Sequence, residues 1–372
     1  MTLTLVPDTP HSVQDETGRR YPVLDRIPYL RRGREALAAD ALVRLDAGDT
    51  DGALVVLLAD QDDWWRGPIA DPQALRELVR MRDRLTLRDA MRLLAWGPVS
   101  DYFAHRWSDP TFLAGLALVE AHWAAPRHAL EIACGIGHHL RALQRRGVTV
   151  TGTDVVFGKL WVARHWVVPQ ARLLCLDAAQ RLPLTGPFDL VACHDAFYFL
   201  QPKPEIVAGL RALLDPVSGL LAISHVHNSE SHNFSAGAAM SAIEIASLLP
   251  DALLYDDAEL TGAFAESRAP CLARTEALRR AEAFGAVAGP ALQRPLPITD
   301  LLAVPPVGTT LRRNPLYGAD GRLEWPSERY RQEYGALVTY PAASRAPEQA
   351  VLNAATMEAA RRRELVDLPE RW

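Results

Sequence analysis

The sequence predicts an α/β protein. A doubly wound, mostly parallel sheet carries helices on both faces, with a helical N-terminal region before it and an irregular C-terminal extension after it. Three observations predict this. Between residue 126 and about residue 226, apolar runs of about five or six residues alternate with amphipathic stretches of about ten or more. Runs apolar at every position belong to strands covered on both faces, and strands separated by helices form right-handed βαβ units. A Gly-x-Gly turn follows the first run and opens a helix.

Residues 1–33 are rich in Pro, Arg and Gly. Their one apolar segment, Tyr21–Leu30, contains Pro22 and Pro28, so an edge segment or loop is expected and not a central strand. Residues 34–125 read as helical. Leu37, Ala41 and Leu45, then Leu75, Leu78, Val79, Met81 and Leu85, recur at helical spacing. Gly48, Gly67-Pro68 and Gly97-Pro98 punctuate them. The strand runs are Ala129–Ala133, Val148–Gly152, Ala171–Leu176, Phe188–Cys193 and Leu220–Ser224. Helices are expected over Ala236–Leu249 and Asp257–Glu266, a strand over Ala283–Ala288, and a Pro-rich irregular tail beyond. The units are therefore 1–33, 34–125, 126–290 and 291–372.

The 372 residues are 49% apolar and 23% charged, enough for a sizeable core. A net charge of −5 argues against a polyanion-binding surface, so no nucleic-acid partner is expected. Arg361–Arg363, the one short basic run, reads as a solvated helix end. No apolar run reaches the ~18 residues of a membrane span, and MTLTLVPDTPHS lacks the basic flank of a signal peptide. A cytoplasmic protein without a membrane partner is expected. Cys134, Cys175, Cys193 and Cys271 form no C-x-x-C pair, and three fall in strand runs, as small buried fillers do.

The sharpest motif is Glu131-Ile132-Ala133-Cys134-Gly135-Ile136-Gly137. Gly135 and Gly137 let the backbone turn and a ligand approach closely, and the helix start offers free N–H groups. A dinucleotide fingerprint would place a third glycine where Leu140 stands. Glu131 at the strand end repels a pyrophosphate and attracts a sulfonium ligand carrying an amino group. That contrast favours S-adenosyl-L-methionine over a nicotinamide cofactor. Asp154 ends the second strand, where an acidic residue accepts ribose hydroxyls. Asp177, with Ala178 beside it, ends the third and can accept from an adenine amino group. Phe188–Tyr198 is a fourth strand ending in His194 and Asp195 at the ligand edge.

Taken together, E-x-A-C-G-x-G, the acidic end of strand two, D-A after strand three and F-D-L-V resemble class I (Rossmann-like) S-adenosylmethionine-dependent methyltransferases over about residues 100–226. The resemblance makes 126–290 the Rossmann-like methyltransferase domain and 34–125 a lid region. It implies Glu131, Ala133, Gly135 and Gly137 at the methionine part of the cofactor. It implies Asp154 on the ribose, Val155 against the adenine, and Asp177 with Ala178 on its edge. It also implies His194 or Asp195 beside the transferred methyl. A helix before the first strand often covers the cofactor in this family, which makes Tyr102 and Arg106 candidates for its carboxylate. Tyr21–Pro28 resembles the tail of a small zinc ribbon fused to, or partnering, some methyltransferases. The metal cysteines are absent here, the first cysteine being Cys134, so only packing is implied.

His225 and His227 lie two apart after the last long strand and should face one side. With His194 they are expected to converge on a methyl-acceptor site. His194 or His225 would remove the proton and Asp195 would orient one of them. A metal needs three ligands with outer support, and none is assigned. The loop Asn233–Gly237 is expected to close over substrate, the tail aromatics to pin the tail to a surface, and Leu368–Trp372 to dock. The expected function is methyl transfer to a small molecule, a sugar or secondary metabolite, at oxygen or nitrogen. A non-catalytic S-adenosylmethionine-binding scaffold and a nicotinamide-dependent oxidoreductase are the alternatives.

Overall fold

The computed structural model describes residues 4–180, 182–233 and 237–372. Phe234, Ser235 and Ala236, the centre of the expected closing loop, lie outside the described residues.

Four short strands come first: β1 (Leu5–Thr9), β2 (Ser12–Asp15), β3 (Arg20–Leu24) and β4 (Ile27–Pro28). They pair in that order as an antiparallel sheet, which corrects the expected edge segment or loop. Pro22 sits in β3, between two neighbours. It is tolerated because the ladder changes partner there. β2 pairs with Arg20–Pro22, β4 with Val23 and Leu24, and the Pro22 carbonyl accepts from Tyr29 N at 2.9 Å. Leu30 N then donates to the Cys175 carbonyl at 2.7 Å, tying this sheet to the edge of the main one.

Helices α1 (Glu35–Asp46), α2 (Thr50–Leu58), α3 (Pro72–Met81), α4 (Leu87–Leu93), α5 (Pro98–His105) and α6 (Pro110–Ala121) follow. Asp49, Asp71, Thr86 and Asp109 cap α2, α3, α4 and α6 by accepting from their first N–H groups. α6 is buried along its whole length and packs on the main sheet. The boundary expected at 126 therefore falls inside one packed unit.

That sheet collects β5 (His128–Ile132), β6 (Thr149–Asp154), β7 (Arg172–Cys175), β8 (Leu190–His194), β9 (Leu220–His227), β10 (Leu253–Asp256) and β11 (Ala283–Ala288). The helices between them are α7 (His138–Gln144), α8 (Phe157–Val162), α9 (Lys203–Arg211), α10 (Ala242–Leu248), α11 (Asp257–Ala265) and α12 (Thr275–Leu278). The strand order is β10-β11-β9-β8-β5-β6-β7. β7, β6, β5, β8 and β9 run parallel, and β11 is antiparallel to both of its neighbours. The chain reverses its direction of travel between β5 and β8, so their carboxyl ends frame the crevice where such sheets bind ligands.

A register shift in the β9–β11 pair re-aims one side chain near the end of β9. Ile223 faces Ala286 and Val226 faces Phe284, so Ser224 and His225 together oppose Gly285. The bulge puts His225 at φ +52° and re-aims its ring.

The tail is also more regular than expected. β12 (Thr310–Arg313), β13 (Gln349–Val351) and β14 (Leu365–Val366) form an antiparallel sheet, with α13 (Glu328–Tyr334) and α14 (Met357–Arg361) between its strands. Strands of two to four residues carry no readable period. Tyr317, Tyr330, Tyr334 and Tyr340 pack together. The Trp372 indole N–H donates to the Ala104 carbonyl at 3.1 Å and Arg363 donates to the Trp107 carbonyl at 2.6 Å, so the tail straps down α5 and the turn that follows it. Among the described residues no helix is long and apolar enough to cross a membrane.

Candidate functional site

The crevice begins at Glu131, near the carboxyl end of β5. Ala133, Gly135 and Gly137 follow with φ of +55°, +55° and +88°, folding the chain back into α7. At Gly137 a Cβ would stand 2.8 Å from Val168 Cγ1, so space and backbone conformation both demand glycine. Asp154, at the end of β6, clamps this loop: Gly135 N donates to one oxygen at 3.0 Å and Val156 N to the other at 2.9 Å. Lys159 Nζ stands 3.8 Å from it. Each oxygen keeps a second acceptor position. Val155 follows, partly buried. Asp177, just after β7, is exposed and accepts from Ala179 N at 2.8 Å, with Ala178 partly buried beside it. The expected cofactor residues of β5, β6 and β7 thus lie along one edge of the sheet.

Glu131 is 2% exposed. One of its oxygens is 3.5 Å from His139 Nδ1, while Oε2 is buried with no hydrogen-bond partner among the described residues. Burial pushes its carboxyl up to about 7, against the pull of His194 and Arg106. A polar atom left unsatisfied in this way costs about 1–3 kcal/mol. A cation placed against it would remove that cost.

A second group of side chains lies at the ends of β8 and β9. His194 Nδ1 is 2.7 Å from Ser224 Oγ, and its ring stacks on His139 with centroids 3.9 Å apart. Burial holds both rings well below the usual histidine range. Asp195 turns the other way. With φ +51° it accepts from Tyr102 Oη at 2.5 Å, Arg106 Nη1 at 2.9 Å and Tyr198 Oη at 2.7 Å. His225 and His227 stand beside it, their ring centroids 4.7 Å apart. His225 Nδ1 is 2.6 Å from Asp257 and His227 Nδ1 is 3.2 Å from Glu282.

Three expectations change here. The three histidines do not converge: His225 and His227 meet Asp195, whereas His194 joins Glu131 and His139. Adjacent strand-end residues point to opposite faces, and that separates His194 from Asp195. Tyr102 and Arg106, expected at a cofactor carboxylate, hold Asp195. His225 is not a free base: burial disfavours its charge, but Asp195 and Asp257 outweigh burial and raise it to about 9.

His139, Tyr198, Asp257 and Glu282 went unassigned in the sequence. His139 lies in the glycine motif itself, but the acids reach their histidines from 32 and 55 residues away, which no spacing rule reports. α6 approaches this site through Gly115, where a Cβ would lie 2.7 Å from His139 Nε2, 3.1 Å from Ser224 Oγ and 3.2 Å from His194 Nδ1. Gly115→Ala is expected to lower unfolding stability by about 1–3 kcal/mol. Chemical denaturation reads this. An unchanged midpoint would show that the three side chains yield freely.

Residues 129–217 match a family model described as a methyltransferase domain. The chain is similar to the ubiquinone biosynthesis O-methyltransferase of Histophilus somni (strain 2336), 24% identical over 167 residues. That alignment covers 43% of this chain and 65% of the relative, so the chain spans less than two thirds of the relative's length. Among solved structures it is similar to an S-adenosylmethionine-bound amino pentose methyltransferase of Micromonospora echinaspora. There the identity is 26%, the coverage 34% of this chain and 56% of that one, and the TM-score 0.29. A sugar N-methyltransferase of Streptoalloteichus sp ATCC 53650 is 21% identical, with 32% and 47% covered and a TM-score of 0.28. A TehB-like methyltransferase of Corynebacterium glutamicum ATCC 13032 is 16% identical, with 47% and 86% covered and a TM-score of 0.34.

Proposed function

We propose, from the match of residues 129–217 to a methyltransferase-domain family, that this chain is a class I S-adenosylmethionine-dependent methyltransferase that transfers a methyl group to a small molecule. The observation that carries the reading is the unpartnered Oε2 of buried Glu131 beside the Ala133–Gly137 turn. The donor set fits S-adenosylmethionine, whose amino group and sulfonium are cationic. It does not fit a diphosphate, which this carboxylate would repel. Glu131, Ala133, Gly135 and Gly137 would hold the methionine part, Asp154 and Val155 the nucleoside, and Asp177 with Ala178 the adenine edge. The bound cofactor supplies a methyl group on an excellent leaving group.

What remains for the chain is alignment, which for a bimolecular displacement supplies much of the acceleration. Asp195, His225 and His227 cluster at the ends of β8 and β9. They are proposed to hold the acceptor's hydroxyl or amine, with His227 taking up the proton it releases. A sugar or secondary metabolite suits such a site, rich in hydrogen-bonding groups and lined by aromatic rings such as Tyr198.

Two measurements test this. S-adenosylmethionine at one hundred times its Kd should stabilise the protein by about 2.7 kcal/mol in thermal unfolding, and NAD should not. With a panel of amino and hydroxy sugars and phenols, S-adenosylhomocysteine should form only when an acceptor is present. Binding without turnover on every class would favour the scaffold reading instead. Protection by NAD alone would overturn both.

A further inference from the structure

We propose that Asp195, His225 and His227 form a binding site for one divalent first-row transition-metal ion, with Asp257 and Glu282 as its outer carboxylates.

One candidate ligand atom from each of the three residues lies within 4.8 Å of the other two. The hydrogen bonding around them matches what a metal demands. A metal-ligating histidine almost always donates its other ring N–H to a carboxylate or carbonyl, which fixes its tautomer. Here both do: His225 Nδ1 meets Asp257 Oδ2 at 2.6 Å and His227 Nδ1 meets Glu282 Oε1 at 3.2 Å. With Nδ1 so occupied, Nε2 is the nitrogen each ring has left. The Nε2 of His225 lies 3.9 Å from Asp195 Oδ1.

Charge agrees. Among the described residues Asp195, Asp257 and Glu282 stand beside one guanidinium, Arg106, which bonds Asp195 through Oδ2, while Oδ1 accepts from Tyr198 Oη at 2.7 Å and lies toward the histidines. Three carboxylates around one guanidinium and two imidazoles leave the cluster negative, which suits a cation. Asp195 and His225 both hold left-handed backbone, φ +51° and +52°, a conformation that non-glycine residues keep only where the surroundings impose it.

Two imidazoles and one carboxylate, with further positions open, select zinc, iron, manganese or cobalt over magnesium and calcium, which take oxygen ligands. The other cluster, Glu131, His139 and His194, lacks these features. Its two rings stack face to face at 3.9 Å, so their lone pairs do not converge, and His194 Nδ1 is held by a hydroxyl. The ion would sit on the acceptor side of the crevice, its open positions available to a hydroxyl or amine. That use rests on the methyl-transfer reading, but ion binding does not.

The test is titration of the full-length, chelator-stripped protein with Co²⁺ under anaerobic conditions. We expect one equivalent to bind with visible d–d absorption that Zn²⁺ displaces. His227→Ala should lose the signal and His139→Ala should keep it. The Glu282 side chain is 39% exposed, so its replacement leaves no large cavity. Glu282→Gln should fold as the parent does by circular dichroism and bind about 10–100-fold more weakly. No binding of Co²⁺ or Zn²⁺ overturns the proposal. So does a signal that survives His227→Ala, one lost in His139→Ala, or an affinity unchanged in Glu282→Gln. The S-adenosylmethionine thermal shift is read on the same samples, so loss of the methyl-transfer reading and loss of the metal site give different results.

Discussion

Glu131→Gln is expected to weaken S-adenosylmethionine binding by about 10- to 150-fold, the worth of ~1.5–3 kcal/mol for a hydrogen bond to a charged group. The amide keeps the size of the side chain and removes only its ability to ionise. The unliganded protein should not suffer. Glu131 is raised to about 7 in the fold by burial, above its ordinary value near ~4.3 in the unfolded chain. The folded state therefore binds that proton more tightly. Its contribution to stability is complete below the unfolded value and is lost as pH rises through about 7. Glutamine has no such loss. The difference in melting temperature between variant and parent should move in the variant's favour from pH ~4.5 to ~8. Parallel pH-dependent melts check this. A variant that loses stability as pH rises would contradict the buried, unpaired carboxyl.

Arg106→Met is expected to cost about 3–5 kcal/mol of stability, the largest effect of any single change proposed. Arg106 is buried, lies 2.9 Å from Asp195 and 3.9 Å from Asp109, and stacks over the Tyr102 ring at 4.7 Å. Removing it strands two buried carboxylates whose one nearby guanidinium among the described residues is gone. Adding Asp195→Asn to Arg106→Met should recover part of the loss, because it removes one of the stranded charges. Urea denaturation of the four proteins of this cycle reads both effects. A loss below about 1 kcal/mol would place the pair among weak surface-like ion pairs.

The sheet was legible because its strands are buried on both faces. A run such as Ala283–Ala288 announces itself without help from its neighbours, and the strand occupies those same residues. The glycine turn was legible for a similar reason, since Gly137 needs both a left-handed backbone and space that a Cβ would fill. β10 escaped because four residues have too little length to show a period, and β12–β14 escaped for the same reason. The polar site was legible only by halves. Strand ends mark His194, Asp195, His225 and His227 as edge residues. Their grouping depends on a bulge opposite Gly285 and on partners 32, 55 and 93 positions away: Asp257, Glu282 and Tyr102. Those contacts arise from packing, which sequence spacing does not encode.

The central claim is that the Glu131 carboxyl receives a cationic ligand. Calorimetric titration with S-adenosylmethionine at pH 7, run in two buffers of different ionisation enthalpy, tests it most directly. The parent should release about half a proton on binding, as a carboxyl poised near 7 ionises against the cation, and Glu131→Gln should release none. Proton release that is absent in the parent, or equal in both proteins, would contradict the account.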